Sequence, residues 1–266
     1  MNWDKVHHDA TSWIKEAGAR IRESLRHQID ISSKADENDL VTNVDRETEQ
    51  FFVKNIRKNY PEHKILGEEG FGEKITSADG ILWVIDPIDG TVNFVHQKRN
   101  FMISVGIFEN GVGKLGYIYD VTRDELLSAK KGEGAWLNET PLSPLEKVPI
   151  EKAIIGINPT WVTENRRIDY RRLVPIVKQA RGARSFGSAA MEMFYVACGW
   201  LDAYISLRLS PWDFAAGKII VEELGGKATT LSGQPLSLLK NSSLIVAKPG
   251  LHEYILKNFL EGYEEK

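Results

Sequence analysis

Apolar residues recur in steps of three and four near the start of the chain, at Val6, Ala10, Trp13, Ile14, Ala17, Ile21 and Leu25. That period predicts an amphipathic helix over residues 4–29. A polar stretch at 32–39 breaks the pattern. A second helix follows residues 40–45, with Phe51, Phe52 and Ile56 on one side and Pro61 at its end. Residues 64–66 (KIL) read as a short strand. Residues 81–85 (ILWVI) are a continuous apolar run between Gly80 and Pro87. The run predicts a strand buried on both faces, its ladder ended by Pro87. From 101 to 137 the texture changes to short strands and turns. Asn110-Gly111 predicts a tight hairpin, because both residues tolerate positive φ. Residues 131–134 (KGEG) predict another turn.

Residues 138–151 are polar and carry Pro141, Pro144 and Pro149. They mark the boundary between an N-terminal half, 1–148, and a C-terminal half, 149–266. Beyond it, strands are expected near 153–158, 183–186, 203–207 and 243–247. Helices are expected near 164–180, 189–200, 213–224 and 251–261. Such alternation predicts a layered α/β arrangement forming one compact unit.

Composition narrows the class. The chain has 266 residues, 42% of them hydrophobic and 27% charged, as in an ordinary globular enzyme. Lys and Arg number 34 and the acids 37, for a net charge of −3. That balance gives no electrostatic footprint for nucleic acid or an anionic membrane. The single cysteine, Cys198, excludes an internal disulfide. No apolar run is long enough for a membrane span. The first residues lack the basic-then-apolar order of a secretory leader. The expectation is a soluble cytoplasmic protein without nucleic-acid or membrane partners.

Candidate chemistry concentrates where the 81–85 strand ends, in Asp86-Pro87-Ile88-Asp89-Gly90-Thr91. Two carboxylates held this close repel unless a cation lies between them. Oxygen donors without nearby His or Cys suit a hard ion such as magnesium. Gly90 permits a tight turn, and Thr91 can open a helix whose N–H groups attract phosphate. Two further acidic sites share this placement. Gly67-Glu68-Glu69-Gly70 follows the short strand, and Trp212-Asp213 opens the 213–224 helix. Each alone also fits a bland reading, an exposed turn for the first and a helix cap for the second. Together the three are harder to dismiss.

These motifs resemble the inositol monophosphatase family of magnesium-dependent, lithium-sensitive sugar phosphatases. The resemblance lies in Gly67-Glu68-Glu69, residues 83–94 (WVIDPIDGTVNF), and Trp212-Asp213 followed by Ala215-Ala216-Gly217, with similar stretches at 34–45 and 184–190. It implies an α+β fold, a layered α-β-α-β-α sandwich, with the active site between the two halves. It implies that Glu68, Asp86, Asp89 and the Ile88 carbonyl ligate magnesium, and that Asp213 completes a second metal site. Gly90 and Thr91 would then bind phosphate. Asp45 and Thr91 would activate a metal-bound water, with Glu68 also catalytic. Gly187, Ser188 and Ala189 would floor the substrate site. Lys34 would sit on a mobile loop over a third, weaker magnesium. The implied protein is a homodimer that hydrolyses inositol 1-phosphate with two to three Mg2+ per site.

One position departs from that pattern. The animal enzymes of the family carry a Glu seven residues before the Trp-Asp aspartate, where it binds inositol hydroxyls; here the residue is Ser206. Arg208 lies close by and suits a second anionic group on the substrate. Fructose 1,6-bisphosphate or NADP(H) would supply one. An alternative of another class is a catalytically silent sensor of a phosphorylated ligand.

Overall fold

The computed structural model describes residues 1–33 and 40–264; Lys34, expected on a loop, lies outside them. The chain begins with α1 (Trp3–Ser24), then β1 (Ile31–Ser33) paired with β2 (Leu40–Thr42), and α2 (Asn43–Asn59). Next come β3 (Lys64–Gly67), β4 (Ile81–Asp89) and the short α3 (Thr91–Gln97). The strands β5 (Met102–Glu109), β6 (Val112–Asp120), β7 (Glu125–Lys130), β8 (Gly134–Leu137) and β9 (Thr140–Pro141) follow as a meander. A seven-stranded sheet runs β3 through β9 in chain order, parallel only between β3 and β4.

The chain then enters a five-stranded sheet. Its elements are β10 (Ile154–Ile157), α4 (Val174–Gln179), β11 (Gly182–Arg184), α5 (Ala189–Ala197), β12 (Ala203–Leu209), α6 (Pro211–Glu223), β13 (Lys227–Thr229), β14 (Ser242–Ala247) and α7 (Leu251–Phe259). The strand order is β11-β10-β12-β14-β13.

Alternation along the strands sets the layers. In β4, Trp83 and Ile85 pack with Val6, Ile14 and Ile21 of α1 and Phe52 and Ile56 of α2. Leu82 and Val84 face the other way, onto Met193 of α5 and Phe214 and Ile220 of α6. The same core takes in Tyr204 and Val246 of the second sheet, so α5 and α6 lie between the sheets. The far face of that sheet packs Ile155, Ile205 and Ile245 on Ile176 of α4 and Ile255 of α7. The order is α-β-α-β-α, as expected. Burying one such aliphatic side chain contributes roughly 1.5–3 kcal/mol, which is what fixes the layers.

Local chemistry bears out the predicted turns. Asn110 and Gly111 both have positive φ, 51° and 76°, in the two-residue turn between β5 and β6. Three expectations need correction. The first helix ends at Ser24, not 29. Only residues 174–179 of the expected helix at 164–180 are α-helical. There the Asn165 and Asp169 side chains accept backbone N–H groups two and three residues ahead, offering the backbone an alternative to the helix. Finally, Pro87 does not end β4. The register shifts between Asp86 and Asp89, and pairing resumes at Asp89 opposite Met102. A residue without an N–H is tolerated inside such a bulge, and the bulge re-aims the side chains around it.

Candidate active site

The bulge in β4 turns both of its aspartates toward the start of α6. Ligand oxygens of Asp86, Asp89 and Asp213 all lie within 4.8 Å of one another. Asp86 and Asp89 are buried, and Asp213 is half-buried. At an effective dielectric of about 20, two charges at that separation repel by roughly 3 kcal/mol. Each carboxylate is held in place by the backbone. Asp86 Oδ1 accepts the Ile88 N–H at 3.0 Å. Asp89 Oδ2 accepts the Ser188 hydroxyl at 2.5 Å and the Ala190 N–H at 2.6 Å. Asp213 Oδ2 accepts the Ser210 N–H at 2.7 Å, closing a capping box on α6. The helix-cap reading of Asp213 is therefore correct, and its carboxylate serves the cluster as well.

Burial sets the electrostatics. It holds Asp86 well above the usual carboxylate range, and the charges of Glu68, Asp89 and Asp213 push the same way. Burial raises Asp89 to about 6, against the downward pull of Ser188 and Ala190. Glu68 joins the group from β3's end: its N–H donates to the Ile85 carbonyl at 3.3 Å, and its carboxyl hydrogen-bonds that of Asp86. The donor set is all oxygen, crowded and negative. It fits a hard divalent cation, which would remove the repulsion that keeps these groups protonated.

The next two predicted residues meet beside it. Asp45, at the third position of α2, accepts the Thr42 N–H at 2.9 Å on Oδ2, together with the Thr42 hydroxyl. Its Oδ1 faces Thr91 Oγ1 at 3.3 Å. Burial raises Asp45 to about 6 despite those bonds. The Thr91 hydroxyl also lies 3.2 Å from the Ile88 carbonyl, which brings that oxygen to the same spot. Gly90 has φ 93°, and an added Cβ would stand 3.0 Å from Ser188 Cβ and 3.2 Å from the Asn100 carbonyl. Both the conformation and the close approach require glycine here. Thr91 starts α3, as expected.

A cleft of about 270 Å³ opens from Asp89 and Asp213. Gly187, Ser188, Ala189, Ser206 and Arg208 all line it, so every predicted substrate residue reaches one space. Arg208 is exposed and sits in a second bulge, between Ser206 and Leu209.

Three residues escaped the sequence reading. Glu49 is fully buried, and its two oxygens accept the Glu69 and Phe71 N–H groups at 2.6 and 2.8 Å, holding the loop that carries Glu68. Its signal was a charged residue on the core-facing stripe of α2, between Asp45 and Phe52. Asn93 Nδ2 donates to the carbonyls of Asn100 and Phe186, tying α3 to the 186–188 turn. Glu192 lines the cleft, 2% exposed, and burial pushes it up to about 7. Its Oε1 accepts the Phe186 N–H at 2.9 Å. An acid inside an otherwise apolar helix was its only sequence sign.

The comparisons with known proteins agree with this geometry. The model of the inositol monophosphatase family matches residues 2–263. The Inositol-1-monophosphatase of Bacillus subtilis (strain 168) is 55% identical over 259 residues, 97% of this chain and 98% of the relative. The crystal structure of inositol monophosphatase II from Staphylococcus aureus MSSA476 superposes with a TM-score of 0.89 at 45% identity, covering 97% of this chain and 96% of that one. A structure described as an IMPase/NADP phosphatase complexed with Mg2+ and phosphate superposes at 0.90 with 29% identity, covering 100% and 99%. With its three acidic motifs gathered at one cleft and its whole length matched, this chain belongs to the inositol monophosphatase family.

Proposed function

We propose that this protein is a magnesium-dependent phosphomonoesterase, with inositol 1-phosphate as the favoured substrate. The convergence of Asp86, Asp89 and Asp213 carries the reading, since nothing but a cation relieves their repulsion. The name of the B. subtilis relative supports the substrate, and the bound Mg2+ and phosphate of the IMPase/NADP phosphatase structure support the cofactor. In this reading Glu68, Asp86, Asp89, Asp213 and the Ile88 carbonyl hold two to three magnesium ions. Magnesium supplies a Lewis acid that neutralises charge on the phosphoryl oxygens.

The chain's own residues do the rest. The N–H groups of Gly90 and Thr91, at the start of α3, face outward and hold phosphate oxygens. Water attacks phosphorus as the ester P–O bond breaks, in line and without a covalent enzyme intermediate. The attacking water must lose a proton. Thr91 Oγ1 takes it while passing its own to Asp45 Oδ1, and Thr42 holds the other Asp45 oxygen still. Asp45, raised to about 6, suits this exchange near neutral pH. Gly187, Ser188, Ala189 and Ser206 line the space for the leaving alcohol. Lithium sensitivity, a homodimer and a cytoplasmic location join this reading by family likeness; among the described residues no helix is long and apolar enough to cross a membrane.

A second reading, fructose-1,6-bisphosphatase or NADP(H) phosphatase activity, is favoured by Arg208 in the cleft. The test is phosphate release in magnesium from inositol 1-phosphate, fructose 1,6-bisphosphate, NADP and 3′-phosphoadenosine 5′-phosphate, with and without lithium. Turnover that requires magnesium is expected, greatest on inositol 1-phosphate. Saturable binding with no release from any of them would overturn the enzyme reading in favour of a silent sensor.

A further inference from the structure

Arg208 belongs to two chambers. On one side it lines the cleft with Asp89 and Asp213. On the other it lines a second pocket, of about 270 Å³, with Arg167, Asn241, Ser242 and Tyr263. The segment after β10 walls both, giving Asn158 and Trp161 to the cleft and Arg167 to the pocket. Arg167 comes from the basic run at 164–184, whose arginines read from sequence as a solvated helix face. That stretch forms no continuous helix, and its turns carry Arg167 to the pocket wall.

The pocket's chemistry is one-sided. Among the described residues it is lined by two guanidinium groups and no carboxylate. Neither arginine side chain is in an ion pair, whereas the neighbouring Arg171 is paired with Asp169 at 2.8 Å. Ser242 is 7% exposed, and its Oγ has no hydrogen-bond partner. A buried hydroxyl left unpaired costs stability unless a ligand or water completes it. Two convergent guanidinium forks with amide and hydroxyl donors suit a phosphate or carboxylate, which accepts several hydrogen bonds at once.

We propose that the pocket formed by Arg167, Arg208, Asn241 and Ser242 is an anion subsite that takes a second phosphate of the substrate while the scissile phosphate lies at the acidic cluster. The inference rests on the phosphatase reading and extends it. It names the substrate class as a phosphate ester with a remote anionic group, and it makes Arg167 a specificity residue. The shared wall at Arg208 lets one molecule span both chambers, and the missing carboxylate at Ser206 removes a charge that would repel it.

Fructose 1-phosphate and fructose 1,6-bisphosphate test it as a matched pair, since they differ only by the remote phosphate. Arg167→Ala in magnesium should raise KM for the bisphosphate about tenfold, the loss of one charge-assisted contact, with kcat little changed. Both constants for fructose 1-phosphate should stay near wild type. Arg167→Lys should recover part of the loss. Equal effects on the two esters, or none on either, would overturn the subsite. If the wild type releases phosphate from no ester, the phosphatase reading has failed instead. Calorimetric binding of fructose 1,6-bisphosphate without magnesium then decides the pocket: weaker binding by Arg167→Ala supports it, and unchanged binding overturns it.

Discussion

Asp89 and Asp120 lie in one row of the seven-stranded sheet, with Met102 between them. Both end a strand, and both are buried, 8% and 1% exposed. Their surroundings differ. Asp120 Oδ1 accepts the Thr122 N–H and hydroxyl and the Arg123 N–H, all at 2.8–3.0 Å. Its Oδ2 accepts the Arg123 guanidinium at 2.7 Å. Asp89 has a hydroxyl and one N–H on a single oxygen, and further carboxylates as its neighbours. One buried charge is completed by the chain itself and closes a turn. The other is completed only by something the chain does not contain. Burial of a charge is thus no sign of function; burial without a partner of opposite sign is.

Four expected outcomes break or sharpen that contrast. The largest concerns Asp86→Asn and Asp213→Asn, which should cut phosphate release roughly a thousandfold, since several kcal/mol of charge stabilisation is at stake. In EDTA the same variants should melt no lower than wild type, because each removes repulsion. Near-normal turnover in either would sink the ligand assignment.

Thr91→Ala comes next. It should lower kcat roughly a hundredfold, the scale of a lost proton-transfer group, while metal dependence persists. Unaltered kcat would remove Thr91 and Asp45 from the proton path.

Asp120→Asn should show the reverse of Asp86→Asn. It leaves turn donors and Arg123 poorly met, so urea unfolding should report a loss of about 2 kcal/mol. Magnesium dependence should remain. Loss of activity at full stability would mean that the two aspartates are not opposites.

The smallest effect is one of pH. Asp45 and Asp89 have folded values of about 6, above an unfolded value near 4. The folded protein therefore keeps protons that the unfolded chain has released. The stability this contributes is complete below about pH 4 and is lost as pH rises through about 6. In EDTA, Tm should fall by several degrees from pH 5 to 7.5, and magnesium at pH 7.5 should restore it. A flat profile in EDTA would show that the acids are not strained.

Much of this was legible in the chain. The helical faces of α1 and α2, the continuous run of β4 and the Asn110-Gly111 turn follow from period and backbone preference, which act over a few residues. Glu68, Asp86, Asp89 and Asp213 announced themselves as acids at strand ends and a helix start. Distance along the chain hid the rest. Nothing near Glu49 says that it will hold the Glu68 loop, because its partners come from another element. The run at 164–184 read as a helix because its Asn165 and Asp169 side chains compete with helical hydrogen bonds only locally. Sequence alone thus determined the element types, the acidic motifs and the hard-cation chemistry, all set by short-range geometry and charge. Only the tertiary structure decided that Asp213 closes on Asp86 and Asp89, that Pro87 sits in a bulge rather than at a strand end, and that Arg167 shares a pocket with Arg208. Those contacts join residues far apart in the chain, and only the packing of both sheets around α5 and α6 brings them together.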